Sequence, residues 1–135
     1  AILDLIEELF APPGPHPPYY TRERGRDGVR HCVESPNADC LLAEEDSVAL
    51  GLATVYIDLL SIRRGQRCTL EELVVTGEQR SRGVGALLLE AARGWAREHG
   101  CAHLQLESGL GRKDAHRFYL THDMDQVSYV FTRDV

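Results

Sequence analysis

Ile2, Leu5, Ile6 and Leu9 recur at steps of three and four residues, the spacing that gathers apolar side chains on one face of a helix. Pro12, Pro13, Pro15, Pro17 and Pro18 end that helix, because proline has no N–H to donate and pushes its predecessor out of helical backbone space. So little chain precedes the prolines that they predict a stiff surface loop, not a linker between domains. Tyr19 to Ser35 carries a weaker helical period, diluted by Gly25 and Gly28. The period then shortens. Asp39–Glu44 and Ser47–Leu60 predict two strands with an acidic turn between them, the second holding the β-rich run Ala53-Thr54-Val55-Tyr56-Ile57, and Cys68–Thr76 predicts a third. From Gly83 the helical period returns through Val84, Leu87, Leu88, Ala91, Ala92, Trp95 and Ala96 as far as His99, with Gly100 placed to stop it. Ala102–Leu106 predicts a short strand, Arg112–Thr121 a helix, and Val127–Thr132 a closing strand. Strands and helices interleaved in this order predict an α/β fold with a mixed central sheet flanked by helices, in a single domain over residues 1–135.

Composition narrows the class. The 135 residues are 43% apolar and 27% charged, values that suit one globular core. No apolar run approaches the ~20 residues of a membrane span, so no membrane partner is expected. Fifteen basic against 21 acidic residues leave a net charge of −6, which disfavours general nucleic-acid binding and mildly favours cationic partners. Cys32, Cys40, Cys68 and Cys101 form no C-x-x-C pair, and a normal core of this size needs no disulfides; free thiols in a cytoplasmic setting are expected. His99 and His103 are separated by the helix-breaking Gly100, and His116 and His122 lack a carboxylate or cysteine at ligand spacing, so no metal site is expected.

The candidate chemistry lies in Leu73-Val74-Val75-Thr76-Gly77-Glu78-Gln79-Arg80-Ser81-Arg82-Gly83-Val84-Gly85-Ala86. A strand ends, a polar loop follows, and a helix begins with two glycines in its first turn. A helix N-terminus leaves backbone N–H groups unpaired and carries about half a unit of positive charge. Glycines let a phosphate approach that backbone, and the flanking arginines add charge, so the stretch reads as a pyrophosphate cradle. The plainer alternative is a glycine-tolerant turn with solvated arginines. A Walker loop is excluded because no Gly-Lys-Ser/Thr ends it, and a dinucleotide fingerprint because Leu88 stands where its third glycine belongs.

Arg80-x-x-Gly83-x-Gly85 after a Leu-Val-Val strand resembles motif A of the GNAT acetyltransferase superfamily, Gln/Arg-x-x-Gly-x-Gly/Ala. Ala115-His116-Arg117-Phe118-Tyr119 resembles that family's Ala-x-x-Phe-Tyr segment, and the two stand in the family's order, so the likeness runs from about Cys40 to the end of the chain. It implies an N-acetyltransferase with acetyl-CoA as acyl-donor cosubstrate, in which a primary amine attacks directly within a ternary complex. By this resemblance Leu73, Val74 and Val75 line the pantetheine arm, chiefly through the backbone of Leu73 and Val75. The amides of Arg80, Ser81, Arg82, Gly83, Val84, Gly85 and Ala86 hold the pyrophosphate. Tyr119 matches the tyrosine near the cofactor sulfur, placed to give a proton to the departing thiolate. For the base, Glu71 is the first choice and Glu72 the second, because alternation puts them on opposite faces and a bulge would exchange those faces. Thr69 stands where some members carry a glutamate.

Three departures accompany the likeness. Arg112, counted here among the cofactor contacts, replaces an asparagine that contacts the cofactor in many members, Asp123 replaces the glycine that ends the Phe-Tyr helix, and the family's N-terminal strand is expected to be missing or trimmed. The acceptor is expected to be a small cationic amine shaped by the proline stretch, Tyr19, Tyr20, Asp58 and the turn at 123–125. A peptide or protein amine is the rival acceptor, and a non-catalytic acetyl-CoA sensor is the alternative outside the enzymes. Members of this family are commonly homodimers.

Overall fold

A computed structural model describes every residue of the chain except Leu59 and Ser81. Helix α1, Ile2–Glu8, buries Leu3 and Leu5 and gives way to the proline loop. Helix α2, Arg22–Glu34, is opened by Thr21, whose side chain accepts the Arg24 N–H at 3.1 Å and so satisfies one of the donors a helix start leaves free. Strands β1, Ala38–Glu45, and β2, Val48–Ile57, form a hairpin closed by Asp46 and Ser47. Both turn residues have positive φ, 49° and 65°, the backbone that a two-residue hairpin turn demands and that the acidic run supplies with Asp at its tip. Strand β3, Arg67–Val75, pairs antiparallel with β2, and the short β4, His103–Leu106, pairs parallel with β3, giving the order β1-β2-β3-β4.

Alternation along the sheet sends neighbouring residues to opposite layers. Leu52 and Val74 meet Leu5 of α1, whereas Ala53 meets Val84 and Leu88, and Val55, Cys68 and Leu70 meet Leu89, Ala92 and Trp95. These last residues belong to α3, Val84–Glu98, the longest helix, which connects β3 to β4. Helix α4, Lys113–Thr121, follows β4, and its Phe118 packs against the same core.

Both late helices end with the same device. Gly100 has φ 76° and the Cys101 N–H reaches the Ala96 carbonyl at 2.9 Å; Asp123 has φ 64° and the Met124 N–H reaches the Tyr119 carbonyl at 3.2 Å. A left-handed residue followed by a six-to-one bond is the Schellman ending, and the apolar Cys101 and Met124 pack back onto the core. Asp123 thus takes the backbone that the missing glycine would have taken.

One expected element does not form. Val127–Thr132, read as a closing strand, has no ladder partner. Val127, Tyr129 and Phe131, which alternate as a strand's apolar face would, are 75%, 77% and 92% exposed. A strand needs a paired edge and a covered face. The turn at Asp123 returns Met124 to the core, and the residues that follow are exposed. The second strand ends at Ile57, short of the expected Leu60; Leu59 within that expectation lies outside the described residues. The four cysteines are free thiols, and burial raises Cys40 and Cys68 to about 11, a range in which the nucleophilic thiolate is scarce. Among the described residues, no helix is long and apolar enough to cross a membrane, and no three His, Cys, Asp or Glu side chains group as metal ligands.

Candidate active site

The sheet opens where β3 and β4 part. Their parallel pairing covers Arg67–Leu70 against His103–Leu106 and stops there, while β3 continues to Val75 paired only with β2. The Thr76 N–H bonds to the Leu50 carbonyl on the β2 side. Alternation therefore turns the backbone of Leu73 and Val75 to the open side. There the Arg80 Nε donates to the Val75 carbonyl at 3.2 Å. A split between parallel strands thus exposes a short row of main-chain groups beside the start of α3.

That start is bare. Gly83 precedes the helix with φ 85°, and among the described residues no side chain caps the end. The first amides of α3, at Val84, Gly85 and Ala86, have no helical acceptor before them, so the positive end of the helix faces the opening. A Cβ on Gly83 would meet nothing within 4 Å, so the glycine answers to the backbone angle and not to crowding. At Gly85 the reverse holds: its backbone angle is ordinary, and an added Cβ would stand 3.4 Å from the Phe118 ring. Arg80 is exposed and 3.9 Å from the Glu8 carboxylate, and Arg82 bonds to Gln79. Ser81 lies outside the described residues.

The two glutamates part company at a bulge. Val55 pairs with Leu70 and Thr54 with Glu72, so Glu71 is the extra residue on β3. It is exposed and accepts the Tyr56 hydroxyl at 3.4 Å. Glu72 faces inward beside Thr54, whose hydroxyl oxygen accepts the Glu72 N–H at 3.0 Å in place of a strand partner. Burial pushes the Glu72 carboxyl up to about 7; the neighbouring Glu71 adds to the rise and the Arg112 guanidinium opposes it. Tyr119 on α4 feels the same two influences: burial raises its hydroxyl, and Arg112 pulls it down. A carboxyl near neutrality and a buried phenol under one cation's field are suited to taking and giving protons.

Other groups take places that the sequence pattern did not foretell. Arg112, expected only as a cofactor contact, donates to the Leu9 carbonyl at 2.7 Å across 103 residues. Thr69, noted as the replacement for a glutamate, is buried and donates to Asp58, which also accepts two bonds from Arg67 at 2.7 and 3.1 Å. Asp58, read as a wall of the acceptor site, is therefore already paired. On the α1 side Phe10, His16 and Tyr20 form an edge-to-face cluster in the proline loop, with centroids 4.7 to 6.1 Å apart. Tyr19 instead donates to Asp134 at 2.7 Å. No local periodicity could have foretold these contacts, because each joins segments remote in the chain.

Fold and cleft together define an α/β protein built on a split parallel strand pair, and comparison with known proteins gives that class its name. Residues 1–124 match the family model described as Acetyltransferase (GNAT) family. The uncharacterised N-acetyltransferase YhdJ of Bacillus subtilis is 39% identical over 106 residues, covering 77% of this chain and 73% of that protein. The aminoalkylphosphonate N-acetyltransferase of Salmonella typhimurium is 30% identical over 108 residues, covering 80% and 70%. Among solved structures, the aminoglycoside N-acetyltransferase AAC(6')-Iy in complex with CoA superposes with a TM-score of 0.84 at 17% identity, over 98% of this chain and 84% of that one. A transcriptional regulator from Bacillus halodurans superposes at 0.80 and 20% identity, over 98% and 91%; such identities speak for the fold alone. The chain belongs to the GNAT family of acetyltransferases and is an N-acyltransferase of that type.

Proposed function

We propose that this chain moves an acetyl group from acetyl-CoA to the primary amine of a small acceptor by direct attack, without an acyl-enzyme. The observation that carries the reading is the glycine-preceded start of α3 beside the split in the sheet, with the half-buried Glu72 and Tyr119 both under the influence of Arg112. The residues fit the coenzyme in two respects: the backbone of Leu73 and the N–H of Val75 face the open side of β3 for the pantetheine, the Val75 carbonyl being taken by Arg80, and Val84, Gly85 and Ala86 offer amides to the diphosphate. Arg80 and Arg82 add charge nearby. Bound there, acetyl-CoA supplies the activated acetyl group.

Glu72 is the base of this reading and Glu71 is not, because the bulge leaves Glu71 in solvent and turns Glu72 into the site. Near neutrality about half of Glu72 is ionised and able to accept the ammonium proton of the acceptor. Tyr119, kept protonated by burial, gives its proton to the leaving sulfur. No protein side chain needs to form a covalent bond; orientation and two proton transfers suffice. A small amine is favoured because two of the similar proteins are named for small amino compounds, an aminoalkylphosphonate and an aminoglycoside.

Thiol release from acetyl-CoA across polyamines, aminoglycosides, aminoalkylphosphonates, amino acids and peptides tests the proposal. Turnover with a small amine supports it, and turnover with peptides alone moves the acceptor to proteins. Acetyl-CoA binding without release from any acceptor would instead make the chain a coenzyme sensor.

A further inference from the structure

We propose that Arg112 is a positioning residue that ties the loop between α1 and α2 to the start of α4, across the mouth of the cleft. The inference rests on the acetyltransferase reading above. Three observations place the residue. Its Nη2 donates to the Leu9 carbonyl at 2.7 Å, closing a contact between the end of α1 and the start of α4. A Cβ on Gly14 would overlap both that carbonyl and the Arg112 guanidinium, so the loop is folded tightly around the side chain. Gly111, next to Arg112, lies against Pro13 of the same loop, where a Cβ would stand 3.5 Å from the Pro13 carbonyl oxygen.

A cation held this way has two effects. It fixes the loop that carries Phe10 and His16, whose rings pack edge to face. It also favours the ionised form of Glu72. The other groups around Glu72 do not replace it. Glu71 on β3 acts in the opposite sense, and Thr54 on β2 and Tyr119 on α4 are uncharged near neutrality. From α1, Glu7 is taken up by Tyr20 and Arg22, and Glu8 lies near Arg80. An uncharged residue at 112 would hold neither the loop nor the field; a lysine would keep the field while losing the planar fork that reaches Leu9.

The test uses the whole chain without any acceptor, so that its outcome is separate from that of the thiol-release assay. The Glu72 side-chain carboxyl is titrated by 13C NMR, and amide exchange is followed at Phe10 and Gly14, whose N–H groups bond to Glu7 and Ala11 in the loop. Arg112→Gln is expected to raise the Glu72 midpoint by more than about 0.3 units and to speed exchange at both amides about tenfold. Arg112→Lys is expected to leave the midpoint within about 0.3 units while exchange still quickens. An unmoved midpoint in Arg112→Gln, or unchanged loop exchange in either variant, would overturn the proposal. If Arg112→Gln does not fold, Arg112→Lys decides alone: a shifted midpoint or a fully protected loop counts against it.

Discussion

Glu72 shows how a residue's role can hide in its neighbour's geometry. Two adjacent glutamates were legible from the sequence, but which one turns inward depends on a bulge, and a bulge is settled by cross-strand packing of Val55 on Leu70 that no local pattern records. The raised pKa has a linked effect on stability. Glu72 binds its proton more tightly folded than unfolded, so its contribution is complete below about pH 4.5 and is lost as pH rises through about 7. Glu72→Gln is therefore expected to lose most activity yet gain about 1–3 kcal/mol at pH 8, a gain that vanishes near pH 4. Chemical denaturation of both chains at the two pH values checks this, and a gain over the unsubstituted chain no larger at pH 8 than at pH 4 would contradict it. For Tyr119, replacement by Phe keeps the ring that packs against Phe118 and removes the hydroxyl that carries the proton. A fall in kcat of about a hundredfold with little change in KM is expected, measured by steady-state kinetics with any accepted amine.

At the scale of elements, the long helix was legible almost residue by residue, because its apolar stripe, its opening glycines and Gly100 all point the same way. The closing strand was misread for the opposite reason. Val127, Tyr129 and Phe131 alternate correctly, but alternation says nothing about whether a paired edge is within reach. Gly83 and Gly77 offer a contrast between two glycines that a Cβ would leave equally uncrowded. Only Gly83 has positive φ, so Gly83→Ala is expected to cost about 1–2 kcal/mol and to raise KM for acetyl-CoA, whereas Gly77→Ala changes neither by much. Thermal melts and acetyl-CoA saturation curves on the two variants separate them. Equal behaviour would mean that the backbone angle at 83 is not what presents the α3 amides.

Across the molecule, the order of elements was readable and the long-range ties were not. Leu9 and Arg112 each looked ordinary in their own segments, and only the folded chain brings the carbonyl of one to the guanidinium of the other. The same reasoning applies to the exposed end of the chain. Residues 126–135 bury little and touch the rest chiefly through Tyr19 and Asp134. Removing them is expected to shift the thermal midpoint by no more than about 2 °C, as judged by calorimetry on the shortened chain. A large loss would show that the segment packs on the sheet after all.

The account as a whole depends on the free amides where α3 begins. Titrating 15N-labelled protein with CoA while following the amides of Val84, Gly85 and Ala86 addresses them directly. Large downfield proton shifts at all three, saturating together with binding, are the predicted result. Saturable CoA binding that leaves these amides unmoved would place the coenzyme elsewhere and contradict the account.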